Sequence, residues 1–172
     1  MGLFSHLFLT KEDEEIAKVL GKINIFQGLT PYERAKIAKY FRKQEYKAGD
    51  KIVKEGDAGD RMFVIREGAV KIAKALSPTE EEVLANLVDG DFFGEMALLD
   101  GSPRSASVYA VTPVKMLELY RASLQEFIEK EPQIGVKVFY NLAKILVERI
   151  RASGDKIRDI LIWQSLKKEK KE

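Results

Sequence analysis

The sequence predicts an α+β domain: an antiparallel, jelly-roll-like β-roll flanked by N-terminal helices and by a long C-terminal helix or helix pair. Three observations carry this reading. Apolar residues recur at helical spacing at both ends of the chain. Between the two ends, short β-branched and aromatic runs alternate with turn residues roughly every 8–12 positions, the rhythm of a barrel or sandwich. Seven of the twelve glycines lie between positions 49 and 101, so the turn chemistry is concentrated there too.

The elements follow in order. Residues 10–22, "TKEDEEIAKVLGK", read as a helix. Thr10 can cap it, Asp13 stands at capping-box spacing, and acids crowd the first turn, where the helix dipole favours them. In "NIFQGLTPYERAKIAKYFRKQEY", Thr30 caps a second helix and Pro31 takes its first position. Ile37 and Phe41 fall on one apolar face, so about the first 45 residues are expected to be helical. The pattern then changes. Ile52-Val53, Met62 to Ile65 and Val70 to Ile72 are short strands punctuated by Gly49, Gly56, Gly59 and Gly68. "SPTEEE" (77–82) reads as a hairpin loop and "VLANLVDGDFF" (83–93) as the next strand and turn. "SVYAVTPVKMLELY" (107–120) supplies two strands around Thr112-Pro113. After Ala122, "SLQEFIEKEP" is a short helix ended by Pro132. The last long run carries a largely apolar stripe at 139, 143, 146, 150, 153, 157, 160 and 164, with Ser153 and Gln164 as its polar members, alternating four and three as in a coiled-coil seam. Ser153-Gly154-Asp155 interrupts it. Glycine costs about 1 kcal/mol against alanine in a helix interior, so a bend or hinge is expected there.

Composition narrows the function. The chain of 172 residues is 45% apolar and 33% charged, with a net charge of +2. That size and balance fit one domain with extensions. The charge is too small to argue for nucleic acid. There is no cysteine, and the single histidine is His6. Thiolate metal sites, a cysteine nucleophile and a Ser/His/Asp triad are therefore not expected, which points away from an enzyme. No apolar run has the length of a membrane span, and "MGLFSHLF" lacks a basic n-region. A cytoplasmic protein is expected, with "LFSHLF" docking on the domain or on a partner and "KKEKKE" as a solvated tail.

One stretch does not fit a plain strand-rich region. "FFGEMALLDGSPRSASV" (92–108) places Glu95 and Arg104 nine residues apart on an irregular path. Gly94 allows close backbone approach. Ala97, Ser105 and Ala106 are small, so their N–H groups can reach an anion. Arg104 offers a planar fork suited to phosphate, and Glu95 offers acceptors suited to a diol. A nucleotide with a free ribose 2′-OH satisfies both.

"FGEMALLDGSPRSASV" resembles the phosphate-binding cassette of cyclic nucleotide-binding domains, as in regulatory subunits of cAMP-dependent protein kinase and bacterial catabolite activator proteins. The resemblance takes in the Phe-Gly-Glu start, the loop length and the Pro-Arg-x-Ala end. It continues through "IFQGLT", "YKAGDKIVKEGDAGDRMFVIREGAVKI" and "LVDGDFFGE" to cover about residues 23–135. It implies that Glu95 binds the ribose 2′-OH and Arg104 the exocyclic phosphate oxygen. Gly94, Ala97 and Ser105 would offer backbone N–H groups, with Ala106 closing the cassette. Ile72 and Leu84 would line the apolar side of the nucleotide. Met96, where the family usually has leucine, would relay cassette movement to the helices. Arg149, Ile150 or Trp163 on the long helix would cover the base.

The expected organisation is an N-terminal extension (1–22), a cyclic nucleotide-binding domain (23–135), a long helix (136–166, with a hinge at 153–155) and a charged tail (167–172). The expected ligand is cAMP, with cGMP as the alternative, because Ser105 carries a hydroxyl where the family's alanine or threonine separates the two. The remaining partner would be a second copy joined through the C-terminal helix, or an effector protein, with no nucleic acid and no membrane. After Trp163 only "QSLKKEKKE" remains, so no helix-turn-helix module is expected. The competing reading is a dimerising adaptor whose β-roll senses nothing.

Overall fold

The structure is a computed structural model that describes residues 10–77 and 80–169, without the side chains of 160 and 164–169. The N-terminal segment 1–9 ("LFSHLF"), the tip of the 77–82 loop and the end of the charged tail lie outside the described residues.

Helix α1 (Lys11–Leu20) begins at Thr10, whose side chain accepts from the Asp13 N–H while Asp13 returns the bond to the Thr10 N–H. Ile16, Ala17 and Leu20 form its buried face. A 3-10 turn (Asn24–Phe26) leads to α2 (Pro31–Ala38), which opens with the same reciprocal cap between Thr30 and Glu33 and with proline in its first turn. The expectation of helix to about residue 45 fails at its end. Phe41–Tyr46 is strand β1, paired antiparallel with β8 (Val114–Tyr120) along its whole length. Phe41 is an apolar residue of either pattern. What decides the outcome is the six-residue ladder that β8 offers, which satisfies backbone groups a one-turn helix extension could not.

The β-roll comprises β1, β2 (Lys51–Val53), β3 (Arg61–Glu67), β4 (Val70–Ala75), β5 (Glu81–Leu87), β6 (Phe92–Phe93), β7 (Ser107–Ala110) and β8. They form two antiparallel four-stranded sheets, ordered β1-β8-β3-β6 and β2-β7-β4-β5. Alternation sets two cores. Phe63, Ile65, Val70, Phe93, Val108, Val114 and Met116 fill the space between the sheets. Residues of the opposite parity on β3 and β8, Met62, Val64, Leu117 and Leu119, face the helices and join Leu20, Phe26, Ile37 and Phe127 in the second core. The predicted strands at 52–53, 62–65 and 70–72 and the two around Thr112-Pro113 are all present.

Helix α3 (Glu95–Asp100) interrupts the strands, and α4 (Arg121–Lys130) follows β8. Helix α5 (Pro132–Glu169) then runs unbroken through Ser153-Gly154-Asp155. Its first half is tied to the domain. Ile134, Val138 and Leu142 are buried, with Phe139, Ile145 and Leu146 packed beside them. Lys36–Glu131 at 2.7 Å and Lys137–Glu33 at 2.6 Å clamp α2 to the start of α5, and the Asn141 amide donates to the Ile25 and Gln27 carbonyls. Of the seam read from the sequence, Phe139 and Leu146 belong to this domain-facing side. Among the exposed apolar and small positions, 136, 140, 143, 147, 150, 154, 157 and 161 form a line that also alternates four and three. No described helix is long and apolar enough to cross a membrane.

Candidate functional site

The cassette is built by two left-handed glycines around one short helix. Gly94 (φ 83°) ends β6 and turns the chain into α3, and Gly101 (φ 77°) ends α3. Leu98 is the first α3 residue to donate back within the helix, to the Gly94 carbonyl. The N–H groups before it therefore lie ahead of the helical ladder. The chain then follows an irregular path through Ser102 to Ala106 before β7.

This path brings Glu95 and Arg104 to one cavity of about 210 Å³. Both are almost fully buried, at 4% and 6% exposure. The Arg104 backbone is pinned to the loop before β3: its N–H donates to the Asp57 carbonyl at 2.8 Å and its carbonyl accepts from the Gly56 N–H at 2.9 Å. Its guanidinium donates from Nη1 to the Arg61 carbonyl at 2.8 Å and lies over the Phe63 ring. Among the described residues, the one carboxylate within 4 Å of it is Asp60, at 3.8 Å. Gly94 makes this placement possible, since a Cβ there would fall 2.7 Å from Arg104 Nη1. Burial depresses the pKa of the guanidinium, the neighbouring Arg61 depresses it further, and Asp60 opposes them. A desolvated cation with only a distant counter-charge favours an incoming anion.

Glu95 already has a partner. Arg149 on α5 donates from Nη1 to its carboxylate at 2.5 Å and from Nη2 to the Phe92 carbonyl at 3.2 Å. The same guanidinium lies 4.8 Å from the Phe92 ring centroid. Helix α5 is thus joined to the cassette through the residue read as the diol acceptor.

Of the residues singled out in the sequence, Ile72, Gly94, Glu95, Met96, Ala97, Arg104, Ser105 and Ala106 all line this cavity. Leu84 does not. The β4–β5 register slips there, pairing Ile72 with Ala85 and Ala73 with Val83, so Leu84 is the bulged residue and is 48% exposed. Ala85 and Leu87 take the place expected of it, lining with Ile72, Phe92, Arg149 and Lys156 an adjoining cavity of about 310 Å³ beneath α5. Of the three residues named as covers, Arg149 reaches both cavities, and Ile150 and Trp163 line neither. Sequence reading did not find Val53, Phe93 and Val108 in the cavity wall. Their β-strand alternation toward the roll interior was the available signal.

No group of three metal-ligating side chains occurs among the described residues. The arrangement offers a buried arginine, a buried carboxylate and an apolar wall around one cavity.

Fold and site together define a β-roll with a cavity that a buried Glu–Arg pair faces. The profile of the cyclic nucleotide-binding domain matches residues 43–131, and the chain belongs to that family. It is 28% identical over 144 residues to a CRP-like cAMP-activated global transcriptional regulator of Mycobacterium tuberculosis, covering 84% of this chain and 62% of that one. It is 37% identical over 131 residues to a cAMP-dependent protein kinase regulatory subunit of Colletotrichum orbiculare, covering 76% of this chain and 33% of the relative. Among solved structures it is similar to a cyclic nucleotide-binding domain from Methylobacillus flagellatus, with a TM-score of 0.75 and 31% identity over 84% of this chain and 82% of that one. The chain spans between a third and three fifths of the length of these two curated relatives.

Proposed function

We propose that this chain is a cytoplasmic, non-catalytic regulatory module that binds cAMP and passes the occupancy of its cavity to helix α5. The observation that carries the reading is the buried Arg104, weakly countered by Asp60, facing the same cavity as the buried Glu95. In this reading the exocyclic phosphate oxygen pairs with Arg104 and the ribose 2′-OH donates to Glu95. Gly94, Ala97 and Ser105 supply backbone N–H groups, Ile72 with Ala106 borders the sugar and base, and Met96 relays cassette movement.

The Glu95–Arg149 pair supplies the link to α5. A 2′-OH arriving at Glu95 competes with the Arg149 guanidinium or shares its carboxylate, so ligand and helix position are coupled through one side chain. Such coupling requires different affinity for two helix positions, and the 153–155 segment is the proposed hinge.

The proposed partner is a second copy of this chain, seated on the exposed 136–161 line of α5. A four–three repeat of apolar and small residues is self-complementary and suits a two-helix seam. Ile157→Asp, a charge on that seam, is expected to convert a dimer to a monomer in sedimentation velocity. A wild-type monomer at hundred-micromolar concentration would contradict this partner and leave an effector protein in its place.

Side-by-side calorimetric titration with cAMP, cGMP and cyclic dinucleotides tests the ligand. The expected order is cAMP tighter than cGMP, with cyclic dinucleotides not bound. cGMP binding more tightly would replace the ligand, and binding of none would overturn the sensor reading.

A further inference from the structure

Arg121 opens α4, far in sequence from the cassette, yet its side chain turns back underneath it. Its Nη2 donates to the Gly59 carbonyl at 2.6 Å and also to the Ala97 carbonyl in α3. Its backbone N–H donates to the Asp60 carbonyl at 2.8 Å. The guanidinium passes so close to Gly101 that a Cβ there would fall 2.6 Å from Nη1. The loop it holds is packed directly on α3: a Cβ on Gly59 would stand 2.1 Å from the Ala97 Cβ and 2.7 Å from the Ser102 carbonyl oxygen.

These two segments, the 57–61 loop and the cassette, enclose Arg104. The Asp57 carbonyl holds its backbone, the Arg61 carbonyl holds Nη1, and the Asp60 carboxylate stands off Nη2. The polar contacts of the Arg104 guanidinium therefore come from a loop whose separation from α3 is bridged by one side chain. Arg121 does not line the cavity. It acts at one remove: a single amino group, Nη2, bridges carbonyls from two segments.

We propose that Arg121 is a positioning residue for the anion site: it holds the Gly59–Asp60 loop against α3 and thereby sets the direction in which Arg104 faces the phosphate. The inference rests on the cyclic nucleotide reading of the cavity. Removal of Arg121 leaves Arg104 in place but lets the loop that aims it drift from the cassette.

The test uses Arg121→Met and Arg121→Lys with three ligands: cAMP and its two phosphorothioate diastereomers, which differ in which exocyclic oxygen is sulfur. Affinities come from calorimetry, and urea unfolding midpoints are measured in parallel. Arg121→Met is expected to weaken cAMP binding about tenfold and to change the ratio of the diastereomer affinities at least threefold, with Arg121→Lys between it and wild type. The ratio reports the aim of Arg104 and is insensitive to a simple loss of folded protein. A lower midpoint with the affinity and ratio within twofold of wild type would overturn the inference, as would weaker binding with an unchanged ratio. Should Arg121→Met not fold, Arg121→Lys supplies the same two readouts, and an unchanged ratio in that protein would overturn the inference equally. A wild-type chain that binds none of the three ligands overturns the site reading itself, and this inference with it.

Discussion

Glu95→Ala isolates one hydrogen bond when it is paired with a ligand that lacks the same bond. The proposed contact runs from the ribose 2′-OH to a carboxylate whose side chain is 6% exposed, so water contributes little on the protein side. A hydrogen bond to a charged group contributes roughly 1.5–3 kcal/mol, or about 10- to 150-fold in affinity. Wild type should therefore prefer cAMP to 2′-deoxy-cAMP by a factor in that range. Glu95→Ala should lose the same factor toward cAMP and almost nothing toward 2′-deoxy-cAMP, so the two ligands become equal. The loss of the Arg149 partner adds little in either case, because Arg149 is 42% exposed and its charge is screened by solvent. Isothermal titration of both ligands against both proteins closes the cycle. Equal weakening toward the two ligands would mean that Glu95 only supports the fold, and would refute its role as diol acceptor.

Gly59→Ala forces a methyl against Ala97 and the Ser102 carbonyl, and overpacking of this kind costs roughly 1–3 kcal/mol. A urea midpoint equal to wild type would show that the loop–cassette contact is loose. Gly154→Ala meets open space in the middle of a continuous helix, so it should stabilise α5 locally by about 1 kcal/mol. Hydrogen exchange of the amides around 154 should slow, and unchanged exchange would remove glycine as the source of a hinge. Glu33 has its pKa lowered, first by the hydrogen bond from Lys137 and then by the Thr30 N–H. Its stabilisation is complete above about pH 5 and is lost as pH falls through the ordinary carboxylate range toward the lowered folded value. Glu33→Gln should flatten part of the acid side of a stability–pH profile measured by urea unfolding. An acid limb identical to wild type would show that this clamp contributes nothing.

The cassette is legible in the sequence because its chemistry is local. Two glycines at left-handed positions, a run of small residues and a spaced Glu–Arg pair lie within one stretch of chain, and eight of the nine named site residues meet at one cavity. Leu84 shows the limit. A β-bulge moves one residue out of register, and nothing in "EEVLANL" marks which residue will bulge. Local periodicity places Phe41 on a helix because it knows nothing of its β8 partner, Leu119, far along the chain. On α5 the apolar pattern serves two faces at once: Phe139 and Leu146 satisfy the domain core, and the neighbouring positions make the exposed line. A single stripe drawn through such a helix mixes the two. Arg149 could be placed over the site, but its bond to Glu95 depends on how α5 is held, and that is set by Lys36, Lys137 and Asn141 reaching residues far away in sequence. Arg121 carries no local signal, since its partners are Gly59 and Ala97.

The ligand reading of this chain rests on Arg104 as a buried cation that pairs with a cyclic phosphate. Removing one partner of a buried ion pair costs roughly 3–5 kcal/mol, about 150- to 5,000-fold in affinity. Calorimetric titration of cAMP into Arg104→Ala, with the urea transition recorded on the same protein, tests this directly. Binding in the micromolar range is expected to disappear while the cooperative transition remains. Wild-type affinity in a folded Arg104→Ala protein would contradict the assignment.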